Sequence, residues 1–209
     1  MNNNTDDIST AMEKLEEVLG VNLQGYWREA KEISDRLGSV LGSSFPYALT
    51  ERKRLILYSL VRYLDPEVAI ETGVGPGVST TMILSGLRKG ILYSVDVRDI
   101  LENGKPVGFL VPDELKGKWR LYIGRSEDVL PKLMNQAGKI DIFLHDSEHT
   151  YENVMFELRI AWAHLRQGGV LLIDNLDFTR APRDFAKESN VKLIRVAEDA
   201  GGLGMILKR

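Results

Sequence analysis

Three alternating glycines and an acidic residue follow the first two strand-like segments of the chain. Gly73, Gly75 and Gly77 come directly after a short apolar run and directly before a helical pattern. Glycines at such a turn lack a Cβ atom, so a ligand can approach the backbone N–H groups at a helix N-terminus. Asp96 ends the next apolar run, where a carboxylate can accept hydrogen bonds from the ribose hydroxyls of a nucleoside. These residues predict a nucleoside-binding loop, and the alternative is an ordinary strand–helix turn beside an unrelated surface acid.

A second polar cluster follows the fourth and fifth strand-like segments. Asp146 and His149 come after the fourth, and Asp174 and Asn175 come after the fifth. Because the carboxyl ends of parallel strands open onto one crevice, these four side chains are candidates for a single site. The two carboxylates and the amide oxygen are hard ligands that suit Mg²⁺, Ca²⁺ or Mn²⁺. The imidazole of His149 titrates near neutrality, which makes it a candidate general base.

Each member of this second cluster also has a plain structural interpretation. Asp146 is a candidate N-cap for the helix that follows, with Thr150 as the rival cap. Asp174-Asn175 is a common turn pair, and His149 is as well explained by hydrogen bonds within its own loop. The residues alone leave these alternatives open.

The glycine spacing resembles that of class I S-adenosylmethionine-dependent methyltransferases. Glu71 precedes a Gly-x-Gly-x-Gly run, and the last strand of the domain is predicted to be reversed. The resemblance spans residues 67–209 and implies S-adenosylmethionine as the cofactor. The implied cofactor-binding residues are Glu71, Thr72, Gly73, Gly75, Gly77, Ser79, Asp96, Ser126, Glu127 and His145. Many relatives have an acidic residue where this chain has Arg125, which either pairs with a neighbouring acid or reaches an anion of the substrate.

The second cluster resembles a narrower group, the divalent-metal-dependent O-methyltransferases of the catechol and macrocin types. Residues 143–151 also look like the cephalosporin hydroxylase-like branch of these proteins. The resemblance implies that Asp146, Asp174 and Asn175 hold a divalent metal, Mg²⁺ or a similar ion, and that His149 and Asp146 are catalytic. A metal-bound hydroxyl is more acidic and has a fixed direction, whereas a nitrogen nucleophile needs no metal. The expected reaction is therefore O-methylation of a small-molecule substrate.

Two other classes of function compete with this interpretation. An NAD-type Rossmann oxidoreductase is disfavoured because its Gly-x-Gly-x-x-Gly pattern requires glycine at position 78, where this chain has Val78. No obvious Ser-Tyr-Lys set for hydride transfer is present either. A non-catalytic cofactor-binding module is the third possibility, and weak cofactor affinity would favour it.

Short apolar runs that alternate with helical patterns from residue 67 onward predict the scaffold for these residues. They predict an α/β fold, a Rossmann-like doubly wound sheet that is mostly parallel and has an antiparallel last strand. The predicted strands cover residues 68–70, 91–95, 119–123, 140–144 and 170–173, followed by a hairpin of 191–196 and 204–207. A strong helix is predicted over 151–166, ended by Gly168-Gly169. The predicted methyltransferase domain is 67–209.

The first 66 residues predict a helical extension or lid. Helices are expected from the Thr10 cap to Leu19, from Tyr26 to Leu37 and from the Thr50 cap to Leu64, with a loop over 38–46. The run 51–54, Glu-Arg-Lys-Arg, is interpreted as a solvated helix start rather than an RNA-binding patch. The Gly- and Pro-rich loop 103–112 is either functional or ordinary packing.

Composition sets the remaining expectations. The chain has 209 residues, 44% of them hydrophobic, and a formal net charge of −3, which suits one globular domain with a core and disfavours nucleic-acid binding. No apolar run approaches the ~20 residues of a membrane span, and the start lacks a signal-peptide pattern, so a cytoplasmic address is expected. The absence of cysteine excludes thiol nucleophiles and thiolate metal sites. An exposed apolar N-terminal helix would suit a homodimer.

Overall fold

A computed structural model describes residues 3–42 and 45–209 of the chain. The helices are α1 (Asn3–Leu19), α2 (Gln24–Leu41), α3 (Glu51–Leu64), α4 (Val78–Gly86), α5 (Ser126–Ala137), α6 (Tyr151–His164) and α7 (Ala181–Glu188), with a 3-10 helix at Asp113–Lys118. The strands are β1 (Val68–Thr72), β2 (Ile91–Asp96), β3 (Trp119–Ile123), β4 (Ile140–His145), β5 (Leu165–Asp174), β6 (Leu193–Ala197) and β7 (Leu203–Leu207).

The strands of the described chain form one seven-stranded sheet in the order β3-β2-β1-β4-β5-β7-β6. Strands β1 to β5 pair in parallel, and β7 runs antiparallel to both β5 and β6. The predicted fold class is therefore confirmed, including the reversed last strand. The strand order reverses between β1 and β4, so the carboxyl ends of β1, β2, β4 and β5 surround one crevice, as expected for a doubly wound sheet.

Two apolar cores cover the faces of the sheet. Helices α1 to α4 pack on one face with residues such as Leu55, Leu60 and Met82. Helices α5 to α7 pack on the other face around Phe143 and Leu158. Strands β1, β4 and the later part of β5 are buried almost throughout, because parallel strands with helices on both faces have no solvated side. The N-terminal helices thus share a core with the sheet.

Several predicted boundaries are wrong. Helix α1 begins at Asn3 rather than after Thr10, and α2 extends to Leu41, so only part of the predicted 38–46 loop is a loop. Residues 43–44 of that loop lie outside the described residues. Residues 165–169, predicted to end a helix, begin β5 instead, because the Gly168 N–H donates to the Lys208 carbonyl across the sheet. Two helical segments, 113–118 and 181–188, have no counterpart in the sequence prediction.

The interpretation of the basic run at the start of α3 is also wrong. Arg52, Lys53 and Arg54 have only 6%, 1% and 8% of their surface exposed. Charged side chains are rarely buried to this degree unless they are paired. These three side chains are therefore packed inside the molecule, and the partners of Lys53 are found at the crevice described below. Among the described residues, no helix is long and apolar enough to cross a membrane.

Candidate active site

A cavity of about 790 Å³ opens at the carboxyl edge of the parallel strands. Its walls follow the strand order: Ser126 and Glu127 come after β3, Asp96 ends β2, the glycine loop follows β1, Asp146 and His149 follow β4, and Asp174 and Asn175 follow β5. Residues 46–49 and Lys53 of the N-terminal segment close the cavity from outside the sheet. A volume of this size is typical of a small-molecule or cofactor site.

The glycine loop is held in place by backbone contacts that only glycine allows. Gly73 has a φ of +82°, and a Cβ atom at this position would overlap the carbonyl of Asp146. A Cβ atom on Gly77 would lie 2.9 Å from the Cα of Gly108. The Gly108 N–H donates to the carbonyl of Gly75 over 2.9 Å. The predicted 103–112 loop therefore packs behind the glycine loop and supports it.

Asp96 fixes the same loop through its carboxylate. Oδ2 accepts hydrogen bonds from the backbone N–H groups of Val74, at 2.8 Å, and Gly75, at 3.0 Å. Oδ1 accepts the N–H of Arg98 at 3.0 Å. A carboxylate has about four acceptor positions, so three bonds leave capacity for one ribose hydroxyl. Asp96 lines the cavity as predicted, but part of its role is to shape the loop.

Glu71 lies beneath the loop and is not part of the cavity wall. Its side chain is fully buried, and Oε1 accepts hydrogen bonds from Thr80 Oγ1 and Ser94 Oγ, each at 2.6 Å. Oε2 has no hydrogen-bond partner among the described residues. Burial raises the pKa of Glu71 to about 7, against the opposing effect of the serine and threonine hydroxyls. Of the other predicted cofactor residues, Thr72, Gly77 and His145 are also absent from the cavity wall, whereas Gly73, Gly75, Ser79, Ser126 and Glu127 form part of it.

Glu157 joins several of these elements, although no sequence pattern singles it out. The residue is fully buried in α6. Oε2 accepts from Thr72 Oγ1 and lies 2.6 Å from Nδ1 of His145. Oε1 accepts from Ser126 Oγ, Ser147 Oγ and Asn153 Nδ2 over 2.5 to 3.1 Å. Burial alone would raise the pKa of Glu157, but His145 and the hydroxyl donors outweigh it and lower the pKa below its ordinary value. The carboxylate therefore ties the ends of β1 and β4 to the start of α5.

Lys53 forms an ion pair with Asp174 at the inner end of the cavity. Its Nζ lies 2.6 Å from Asp174 Oδ1 and donates to the carbonyl of Ala200 over 2.7 Å. Asp174 in turn shares a hydrogen bond with Asp146. Burial and the neighbouring Asp174 charge raise the pKa of Asp146 well above its ordinary value. Two carboxylates this close oppose each other's ionisation, and the Lys53 ammonium balances the charge of Asp174.

His149 lies beside this cluster as a neutral imidazole. Burial and the nearby His145 lower its pKa to about 4. Asn175 Nδ2 lies 3.2 Å from His149 Nε2, a distance at which the amide donates to the ring nitrogen. Phe178 packs edge-on against the same ring, with centroids 5.4 Å apart. His164, by contrast, contacts the carbonyl of Ile160 one helical turn back, as expected for a structural residue.

The structure decides two alternatives that the sequence leaves open, namely which residue caps α6 and which group Arg125 contacts. Thr150, not Asp146, caps α6, because its side chain accepts from the N–H of Asn153. Arg125 pairs with Glu127 over 2.7 Å at the outer end of the cavity. The acid that this guanidinium contacts is therefore a neighbour in sequence.

The divalent-metal site at Asp146, Asp174 and Asn175 stays a prediction, and two of its donors contact protein side chains in this structure. Asp174 is paired with Lys53, burial and the Asp174 charge raise the pKa of Asp146, and the Asn175 amide nitrogen lies 3.2 Å from His149 Nε2. Among residues 3–42 and 45–209, no group of three or more His, Cys, Asp or Glu side chains has the spacing of a metal site. The positive charge that the carboxylates require is supplied by a lysine.

The comparisons with known proteins are consistent with this geometry. A family model described as a methyltransferase domain matches residues 70–176, just over half of the chain. The chain belongs to this methyltransferase family. The matched region of the methyltransferase domain contains the glycine loop, Asp96, Glu157 and the Asp146–Asp174 pair.

Curated relatives and solved structures extend the likeness beyond that region. A Mycobacterium sp. (strain KMS) protein named "Putative O-methyltransferase" is 28% identical over 152 residues, which cover 72% of this chain and 67% of that protein. A protein of Mycolicibacterium smegmatis with a similar name is 27% identical over 170 residues, 80% of this chain and 76% of that protein. Among solved structures, the O-methyltransferase TomG from Streptomyces achromogenes in complex with SAM has a TM-score of 0.66 at 16% identity, covering 100% of this chain and 99% of that chain. An O-methyltransferase from Bacillus cereus in complex with SAH has a TM-score of 0.63 at 16% identity, with 96% and 100% covered. At these identities the solved structures establish the fold.

Proposed function

We propose that this methyltransferase transfers the methyl group of S-adenosylmethionine to a hydroxyl oxygen of a small-molecule acceptor. The observation that carries the proposal is the single cavity that runs along the sheet edge from Asp96 to Asp174. One end carries the glycine loop and a carboxylate suited to ribose. The other end carries carboxyl, imidazole and ammonium groups that can handle an acceptor hydroxyl. The names of the curated relatives support oxygen as the atom that is methylated.

The residues at the first end fit the proposed cofactor. Gly73 and Gly75 bring the backbone to the cavity without side chains, and Ser79 lines it from the first turn of α4. A helix N-terminus favours a carboxylate such as that of a methionine moiety. Asp96 has one acceptor position left for the ribose, and Ser126 and Glu127 lie next to it along the sheet edge, where the adenine is expected.

The second end orients the acceptor and manages its proton. S-adenosylmethionine supplies, when bound, an electrophilic methyl carbon whose bond to sulfur breaks as the acceptor oxygen bonds to it. Alignment of the two reacting groups accounts for much of such an acceleration. His149 is neutral and lines the cavity, so it is the proposed proton acceptor, and the protonated Asp146 is the proposed hydrogen-bond donor to the acceptor.

Binding of the product S-adenosylhomocysteine tests the cofactor assignment. Calorimetric titration with S-adenosylhomocysteine and, separately, with NAD⁺ should give binding for the first compound only. Asp96→Asn should weaken that binding at least about tenfold, because it removes the charge that holds both the loop and the ribose. Asp113→Asn, an exposed acid outside the cavity, is the matched control. NAD⁺ binding in preference to S-adenosylhomocysteine would replace the proposal with the oxidoreductase alternative.

Metal assistance is tested by the same preparation. The Lys53–Asp174 pair supports a reaction that continues in EDTA, because the ammonium already supplies the charge a metal would bring. Turnover that stops in EDTA and returns with Mg²⁺ would mean that Lys53 gives way to a cation at Asp174. The division into an extension, 1–66, and a domain, 67–209, stays a prediction, although residues 46–49 and Lys53 contribute directly to the proposed site.

A further inference from the structure

Lys53 has hydrogen-bonding capacity that its protein partners do not use. A lysine ammonium has three N–H donors. Within the described chain, Nζ donates to Asp174 Oδ1 and to the carbonyl of Ala200, which accounts for two of them. The side chain is almost fully buried, yet Lys53 lines the cavity together with Asp146, Asp174 and Ala200. The third donor is therefore available to a molecule inside the cavity.

The surroundings of Lys53 make it a binding group for an oxyanion. Its charge lies in a buried site where water screens it little, so its effect on a bound oxygen is stronger than at the surface. The groups facing it are Asp174, which is already paired with it, Asp146, whose pKa is raised by burial and by the Asp174 charge, and the neutral His149. None of these three repels an incoming anion as strongly as a free carboxylate would.

Exposed aromatic side chains at the mouth of the cavity indicate which kind of molecule carries the acceptor oxygen. Phe178 is 64% exposed and Tyr47 is 60% exposed, although both line the cavity. Exposed aromatic rings at the mouth of a site offer a stacking surface for a planar ligand. Phe178 packs against the His149 ring, whereas Tyr47 lies beside Gly75 of the glycine loop. A flat acceptor ring that stacks on Phe178 would lie beside His149 and bring a ring hydroxyl towards Lys53.

We propose that Lys53 binds the acceptor oxygen directly and holds it as an oxyanion, so that the acceptor is a phenol or a similarly acidic hydroxyl rather than an alkyl alcohol. This inference rests on the proposed function. A phenol has a pKa of about 10, and a cation within hydrogen-bond distance lowers such a value by about one to three units. The phenol is thereby ionised near neutral pH: its O–H proton passes to the neutral His149 imidazole and from there to solvent, and the phenolate oxygen then bonds to the methyl carbon as the carbon–sulfur bond breaks. An alkyl alcohol is too weak an acid for one ammonium to ionise.

The test uses 4-nitrophenol as the probe, because its phenolate absorbs visible light and its ionisation can be followed directly. The probe is titrated over pH with and without the wild-type protein, in the presence and absence of S-adenosylhomocysteine. Bound probe should ionise about one to three pH units lower than free probe. Lys53→Met should abolish this shift. Lys132→Met, the same change at an exposed lysine outside the cavity, should retain it.

A second variant keeps the test decisive if Lys53→Met does not fold. Lys53→Met/Asp174→Asn removes both charges of the buried pair and leaves no unpaired carboxylate, so it should fold and should also lack the shift. An equal shift in all variants, or no shift in the wild type, overturns the proposal. Calorimetry with S-adenosylhomocysteine on the same samples separates the two hypotheses. Normal cofactor binding without a probe shift refutes only the role of Lys53, whereas absent cofactor binding refutes the proposed function.

Discussion

Glu157→Gln should strongly lower the free energy of unfolding, although Glu157 does not line the cavity. The buried carboxylate accepts five hydrogen bonds, three on Oε1 and two on Oε2. A glutamine has only one acceptor oxygen, so its amide nitrogen must face either His145 and Thr72 or the three donors on the other side. The arrangement that sacrifices fewer bonds loses two. Hydrogen bonds to a charged group contribute about 1.5–3 kcal/mol each.

Partial relaxation reduces this loss, since the Thr72 hydroxyl can rotate and the His145 ring can change tautomer. We therefore expect a loss of about 3 kcal/mol in the free energy of unfolding, which corresponds to a fall in Tm of about 6–12 °C for a chain of this length. Thermal unfolding followed by circular dichroism measures both. Glu152→Gln, an exposed position on the same helix, should change stability by less than about 0.5 kcal/mol.

The pH dependence of this difference gives a second check on the same reasoning. The folded-state pKa of Glu157 is lowered below 4.5, so its contribution is complete above pH 4.5 and is lost as the pH falls through the lowered value. The stability gap between wild type and Glu157→Gln should therefore narrow below pH 4.5. A loss under about 1 kcal/mol at pH 7, or a gap that stays constant down to pH 3, would refute the role assigned to the carboxylate.

Three further outcomes follow from other buried groups. The pKa of Glu71 is raised from 4.5 to about 7, so wild-type stability should fall by about 3 kcal/mol as the pH rises from 4.5 to 7, and denaturant titrations of Glu71→Gln should show this component removed. Gly73→Ala should lower the free energy of unfolding by at least about 3 kcal/mol, because the new Cβ atom overlaps the Asp146 carbonyl. Gly104 has a similar positive φ but open space around it, so Gly104→Ala should lower the free energy of unfolding by only about 1 kcal/mol. Equal losses in the two variants would contradict the overlap. The His149 ring resonances, assigned by their loss in His149→Gln, should titrate near pH 4 in an NMR series, and a midpoint near 6.5 would show that the ring is more exposed to solvent than the structure indicates.

Local sequence patterns were sufficient for the order of the strands. Short apolar runs separated by helical patterns predicted the parallel sheet, because strands covered on both faces must be apolar almost throughout. The pattern failed at residues 165–169, where Gly168 and Gly169 look like a helix end. Their backbone hydrogen bonds go to Lys208, about forty residues away, and no local pattern reports such a partner.

The end of the candidate site that carries the glycine loop and Asp96 could be predicted from the sequence, again because its pattern is local. A glycine loop needs residues without a Cβ atom at fixed spacing, and Asp96 must end the strand next to it. The structure places Gly73, Gly75 and Asp96 on the cavity wall. Glu71 was expected there as well. Its side chain is instead fully buried, because the neighbouring strands enclose it.

The other end of the site, with Lys53, Asp146 and Asp174, depends on tertiary contacts. Lys53 belongs to a run of four charged residues at a helix start, which by itself is typical of a solvated surface, and its partners Asp174 and Ala200 lie 121 and 147 residues away. Glu157 looks like any acid in an amphipathic helix until the ends of β1 and β4, the loop after β4, the start of α5 and its own helix bring five donors to it. The sequence by itself determined the fold class and the glycine loop, because periodicity and backbone sterics act over a few residues. Only the tertiary structure decided which charges are buried together, because the free energy of a buried charge depends on partners that distant segments supply.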